Sequence, residues 1–296
     1  MENQHNQDLT SSIQKFRTEI DAIDGQIISL FQQRMQVVEK VSEFKKNNLE
    51  KFFIKSSREA DMIKELVSKA SDNFPKSIIV NIWRKIITAA NMREQKLNIA
   101  IHNPKNISDY SYLVREYYGD IVPFFNHDSA TNIIAEIEKN QVNIGIFALP
   151  NNENEENSEN WWINLANNRN GLKVFAKIPF VEFVSVEKNY NKIQLVAVAI
   201  KEAEKSNSDN SLFYVELNKE FSRSQLIATF KEQNIDVKIL RCAKLAQVDG
   251  MLFYLLEASG FFTEKDDVLK TITKSKIKPY IKVIGNYATP ILVNIE

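Results

Sequence analysis

Between Leu9 and Lys46 the apolar residues Ile13, Phe16, Ile20, Ile23, Ile27, Leu30, Val37, Val41 and Phe44 step by alternating threes and fours, with Arg34 standing in the same series. Such spacing lines one face of a helix, so it predicts a long helix with a heptad seam. Ser56 and Ser57 followed by Glu59 predict an N-cap with an acidic first turn, opening a second helix to about Ala70. Pro75 sits near the start of a third, Lys76 to Gln95, with Ile79, Ile82, Trp83, Ile86 and Ile87 on its buried side and Trp83 in the core. Residues 1–96 are expected to form an all-α domain.

The period changes at Leu97. Asn98 to Ile101, Ile121 to Phe125, Asn143 to Leu149, Leu172 to Val181 and Gln194 to Ala203 read as strands. Helical stretches over Tyr110–Tyr118 and Ala130–Asn140 alternate with the first three, an α/β pattern assigned to residues 97–210. Asn151 to Asn160 is polar and acidic and reads as a solvated loop anchored by Trp161 and Trp162; Lys205 to Asn210 is a second polar break. From Ser211 the order is strand (Leu212–Leu217), helix (Ser222–Gln233), strand (Val237–Cys242), strand (Met251–Ala258), helix (Glu264–Thr273), strand (Ile281–Tyr287). That βαββαβ order predicts an α+β ferredoxin-like unit over 211–296, with Cys242 a buried strand residue. The fold class is therefore multidomain: all-α, then α/β, then α+β.

Composition narrows the chemistry. Lys plus Arg and Asp plus Glu number 38 each, so no global field draws the chain to nucleic acid or a membrane. An anion site must come from local placement of cations. A single cysteine excludes an intrachain disulfide and a thiolate metal cluster, and His5, His102 and His127 are scattered, so no metal is expected. The seven glycines form no phosphate loop. Met1 to Thr10 is polar, unlike a signal peptide, and no apolar run approaches the ~20 residues of a membrane span. A soluble cytoplasmic protein is the expectation.

Arg34 is the most informative residue, because a guanidinium in an apolar seam must meet an anion. Taken alone it reads equally well as a buried ion pair fixing helix register. Arg17 and Lys45 each directly follow a seam residue, and Arg58 opens the next helix. Singly these three read as solvated charges; together with Arg34 they read as a site for a small dicarboxylate. At ~1.5 Å rise per residue Arg34 and Lys45 lie about 16 Å apart, within reach of one ligand, whereas Arg17 lies about 25 Å from Arg34. Arg17 reaches a second copy's site if two long helices pack antiparallel, which points to a dimer with shared sites.

The stretches Phe16–Asp24, Ile28–Lys46, Ser57–Ile63 and Ile82–Ala90 resemble the bacterial all-helical chorismate mutases in order and spacing. The resemblance implies that Arg17, Arg34, Lys45 and Arg58 hold the two carboxylates of chorismate, with Arg17 serving the partner's site. It implies that Glu59 binds the substrate hydroxyl, and that Glu94, where many members have glutamine, lies near the ether oxygen. Lys45 and a protonated Glu94 are then the catalytic candidates. Ala90 stands where many members have a carboxylate-binding serine, and Lys55 where some have aspartate. An intramolecular rearrangement of chorismate to prephenate implies no cofactor.

The remainder resembles a worn prephenate dehydratase (97–210) followed by an ACT regulatory unit (211–296), the arrangement of bifunctional mutase–dehydratases. Phe253–Glu257 and Val283–Tyr287 carry most of this likeness. The dehydratase Thr-Arg-Phe signature appears as Ser211, Leu212 and Phe213, and its Glu-Asn-Thr stretch is replaced by the acidic run after Pro150. The ACT turn Pro-Gly-Ala-Leu appears as Glu220 to Arg223, and Glu-Ser-Arg as Arg241, Cys242 and Ala243. An amino-acid effector at this unit is an expectation of the resemblance. Two other readings stay open: a bifunctional enzyme that also dehydrates prephenate, and a non-catalytic sensor or docking partner in aromatic amino-acid biosynthesis.

Overall fold

A computed structural model describes residues 2–47, 52, 54–71, 73–104, 110–150, 159–185 and 193–295. The chain divides into two compact units, one formed by residues 1–53 and 90–96, the other by 54–89 and 97–296.

In the first unit the heptad seam becomes one continuous helix, α1 (Glu2–Asn47), longer at its N-terminal end than the periodicity alone predicts. Its seam stays open to solvent: Phe16, Leu30, Val37 and Phe44 are all about 60% exposed or more. The half-buried positions are Phe31, Arg34, Met35, Val38 and Lys45, with Ser42 buried. The end of the third helix, α3 (Lys76–Glu94), completes this unit and is joined to α1 by a Glu39–Arg93 ion pair.

The second unit opens with α2 (Ser56–Lys69). The expected serine cap is displaced by one residue: Lys55 holds the N-cap position and its side chain caps nothing. Ser57, Ala60, Ile63 and Val67 form the buried face of α2 at helical spacing.

Among the described residues the body of this unit is a nine-stranded mixed sheet, in the order β2 (Phe124–His127), β1 (Ile99–His102), β3 (Ile144–Ala148), β6 (Leu195–Ile200), β4 (Leu172–Ile178), β10 (Tyr280–Ala288), β7 (Asp209–Asn218), β9 (Met251–Ser259) and β8 (Val237–Ala243). Its parallel edge comprises β1 (Ile99–His102), β2 (Phe124–His127) and β3 (Ile144–Ala148), linked by α4 (Ser111–Tyr118) and α5 (Ala130–Glu138). Ile99 pairs with Phe124 on one side and Ile144 on the other. The expected strand Leu172–Val181 is instead two strands, β4 (Leu172–Ile178) and β5 (Val181–Ser185), because Pro179 cannot donate to a ladder. Next come β6 (Leu195–Ile200), β7 (Asp209–Asn218), α7 (Arg223–Lys231), β8 (Val237–Ala243), β9 (Met251–Ser259), α8 (Asp267–Thr273) and β10 (Tyr280–Ala288). The run β10-β7-β9-β8 is antiparallel throughout, as the βαββαβ order predicts. A further strand, β11 (Ile291–Ile295), pairs with β5 as a separate parallel ribbon that the sequence pattern does not reveal.

The two faces of the sheet bury different cores. Along β7, Leu212 and Tyr214 enter one cluster with Trp162, Val196, Leu255 and Tyr287, while Phe213, Val215 and Leu217 enter the other with Leu226, Phe230 and Leu269. That is the strand period of two read in three dimensions. Trp161 and Trp162 open a short helix, α6 (Trp161–Asn167), that the sequence reading treated as a loop anchor. Trp161 donates Nε1–H to the Ala148 carbonyl at 2.8 Å and stacks on Phe147, so it anchors sheet to helix. The acidic run 151–158 lies outside the described residues. Three expectations of burial need adjustment: Trp83 and Cys242 are half-buried, and Ile82 is exposed, because the buried face of α3 runs through Val80, Arg84 and Ile87 instead.

Candidate active site

Within the first unit the structure brings together the two residues expected to act on the reacting bond. Lys45 lies in the last turn of α1, and Glu94 is the final residue of α3. Lys45 Nζ donates to Glu94 Oε2 at 2.5 Å, and the two side chains are 16% and 8% exposed. Removing Lys45 takes from the buried Glu94 carboxylate its cation, and breaking so buried a pair costs about 3–5 kcal/mol. Ala90 is buried one helical turn before Glu94, on the same face of α3. Arg34 is half-buried about three turns before Lys45 along α1, a spacing that sets both on one side of the helix. Arg17 is exposed on the same helix.

Arg58 and Glu59 belong to the second unit. Arg58 is exposed in the first turn of α2, while Glu59 is engaged: its Oε2 accepts from Arg84 Nη1 at 3.2 Å. Arg84 is 5% exposed, and its guanidinium lies 4.5 Å from the Tyr117 ring centre and 4.9 Å from that of Phe180. Stacking on two rings and pairing with a carboxylate is what allows an arginine to be buried there. The pair also weighs on Tyr117: burial raises its phenol pKa to about 12, with Arg84 opposing the shift.

Arg84 is a residue that the sequence reading missed. The available signal is its spacing: Val80, Arg84 and Ile87 fall four and three residues apart on the buried face of α3, the same exception to an apolar stripe that marks Arg34 in α1. The Arg84 side chain also lines a cavity of about 350 Å³ with Ser77, Asn81, Tyr112, Glu116 and Phe180. His102, by contrast, is buried at the end of β1 against Glu159, within the α/β region. Among the described residues no group of histidine, cysteine and carboxylate side chains has metal-binding geometry, and no helix is long and apolar enough to cross a membrane.

A curated relative, the bifunctional chorismate mutase/prephenate dehydratase of Aquifex aeolicus (strain VF5), is 26% identical over 142 residues. The match covers 47% of this chain and 39% of that protein, so the chain spans about two fifths of the relative's length. Among solved structures, prephenate dehydratase from Streptococcus mutans aligns with a TM-score of 0.44 at 16% identity, over 67% of this chain and 100% of the other. GqqA, described as a novel type of quorum-quenching acylase, aligns with a TM-score of 0.48 at 11% identity, over 65% and 95%. Residues 16–95 run from α1 past the last turn of α3 and include the Lys45–Glu94 pair; they match the family model for chorismate mutase type II, so the chain carries a chorismate mutase type II domain in its N-terminal helices.

Proposed function

We propose that the chain is a chorismate mutase, rearranging chorismate to prephenate for phenylalanine and tyrosine biosynthesis in the cytoplasm. The observation that carries this reading is the buried Lys45–Glu94 pair inside the matched helices. The rearrangement breaks one C–O bond and forms one C–C bond within a single molecule, so the protein has to select the compact conformer and stabilise charge growing on the ether oxygen. A lysine held beside a carboxyl side chain suits that second task. Arg34, Arg58 and Lys45 hold the carboxylates in this reading, Glu59 takes the hydroxyl, and Ala90 contributes surface without a hydrogen bond.

The active form in this reading is a homodimer, with Arg17 acting in the partner's site. The exposed seam of α1 supports it: Phe16, Ile20, Ile23, Leu30, Val37 and Phe44 form an apolar stripe too long for a solvated helix. A second copy of α1, carrying the same stripe, is the complementary partner.

The regions 97–210 and 211–296 serve as a dehydratase-like body and an ACT-like regulatory unit that binds an amino acid. Leu212, at the signature arginine's position, is wholly buried in the apolar core with Tyr214 and Leu255, which supports a body without dehydratase activity. The test is chorismate consumption by the purified full-length chain, with phenylpyruvate formation followed in parallel. The parent should consume chorismate, and Lys45→Met should lose at least about a hundred-fold in kcat/KM. A folded parent that leaves chorismate untouched sinks the reading.

A further inference from the structure

The start of α2 is fixed from far away in the sequence. Lys201 follows the last residue of β6, and its Nζ donates to the Ile54 carbonyl and to Ser56 Oγ, both at 3.2 Å. The same ammonium pairs with Glu204 Oε2 at 3.2 Å and lies 5.1 Å from the centre of the Phe175 ring. Glu204 contributes twice more: its carbonyl accepts from Ser57 Oγ at 2.8 Å, and its carboxylate lies 3.6 Å from Lys55 Nζ. Further along, the Asn207 amide donates to Asp61 Oδ1 at 3.1 Å. Contacts at 54, 56, 57 and 61 thus bracket Glu59 on its own helix.

A cation beside a helix N-terminus opposes the helix dipole, and the Lys201 side chain is 5% exposed. Burial lowers its pKa, with Glu204 and, more weakly, Glu59 opposing that shift. An arrangement this costly is not needed merely to begin a helix, since a serine or aspartate at the N-cap does so at the surface. What it achieves here is a fixed first turn where the ordinary cap is missing, with Lys55 at the N-cap making no capping bond. Arg84 then holds the Glu59 carboxylate itself, at 3.2 Å.

We infer that residues 201–207, the segment leaving β6, position Glu59 for chorismate, with Lys201 as the principal positioning residue. The inference rests on the proposed mutase function and adds to it a residue from outside the matched helices. The dehydratase-like body then serves the mutase reaction as scaffold for α2, whatever chemistry of its own it retains.

The test is a double-mutant cycle in the full-length chain, using Lys201→Met, Glu59→Gln and the two combined. If Lys201 acts through Glu59, Lys201→Met lowers kcat/KM for chorismate about ten-fold, chiefly by raising KM. The double variant then matches Glu59→Gln alone, and Lys201→Arg recovers part of the loss. Unchanged kinetics in Lys201→Met, or losses that multiply in the double variant, overturn the inference. Circular dichroism establishes folding. If Lys201→Met does not fold, Glu204→Gln takes its place in the cycle, since it keeps the carbonyl that accepts from Ser57. A folded parent without chorismate turnover removes the mutase reading and this inference together, whereas an active parent with multiplying losses removes only this one.

Discussion

Gly285 of β10 passes so close to Val174 of β4 that a Cβ at Gly285 would stand 2.3 Å from the Val174 carbonyl oxygen and 2.5 Å from its amide nitrogen. This is the junction where the ferredoxin-like strands join the rest of the sheet, through the single parallel register Gly285↔Val174. Both strands shift register there, β10 between Val283 and Gly285 and β4 between Val174 and Ala176. Backbone cannot yield as a flexible side chain can, so Gly285→Ala should destabilise the chain by about 3 kcal/mol through overpacking. Chemical denaturation measures it. A loss below about 0.5 kcal/mol, the range of an ordinary surface substitution, contradicts the close approach.

His102 gives the stability a pH dependence whose sign is fixed by its burial. The imidazole is buried, with Nε2 3.1 Å from Glu159 Oε2. Burial depresses its pKa below the ordinary 6.5, and Glu159 and Asp128 only partly oppose this. The unfolded chain therefore binds the proton more readily than the folded one. Stability from this group is present in full above about pH 6.5 and is lost as pH falls below it. Thermal midpoints should drop between about pH 7 and 5.5, and His102→Gln should flatten that part of the profile. Equal slopes in both proteins tell against the assignment.

The parts of the fold legible in the sequence are those whose pattern is local. The threes and fours from Ile13 to Phe44 gave α1, and the alternation along Leu212 to Leu217 gave β7 and its two cores. Helix α6 was hidden because its seven residues follow a polar run and give too short a stretch for periodicity. The β5–β11 ribbon pairs residues about 110 apart in sequence, which no local pattern encodes. The candidate site divides in the same way. Arg34 stands out inside its seam, whereas nothing within the sequence of α2 announces that Lys201 and Glu204 fix its first turn. Arg84 was legible in principle, yet one charge near the middle of a helix is ordinary until its burial is known.

Arg17 and Arg34 give the test of shared sites. Both lie on one unbroken helix, about 25 Å apart at ~1.5 Å rise per residue, so in the proposed dimer each active site takes one from each copy. Arg17→Ala and Arg34→Ala should each be inactive alone. Mixed under conditions that exchange subunits, half of the dimers become hybrids with one intact site, restoring about a quarter of the parent's activity. Exchange without recovered turnover shows that both arginines act within one copy.

Glu94 gives the test of the contact with the ether oxygen. Its side chain accepts a hydrogen bond from Lys45 at 2.5 Å. The proposed reaction asks for a donor at the same place, because negative charge grows on the ether oxygen as the C–O bond breaks. A carboxylate facing that oxygen repels the charge, whereas an amide N–H donates to it. Glu94→Gln supplies such a donor with nearly the same shape. It should therefore turn over chorismate with a higher kcat than the parent, and Glu94→Ala, which has no polar group to offer, should lose activity. Glu94→Gln also loses the ion pair with Lys45, so thermal stability has to be measured alongside. The decisive measurement is kcat for chorismate in the parent and the two variants. Equal values in all three mean that Glu94 does not face the ether oxygen, leaving its contact with Lys45 a structural one that holds the ends of α1 and α3 together.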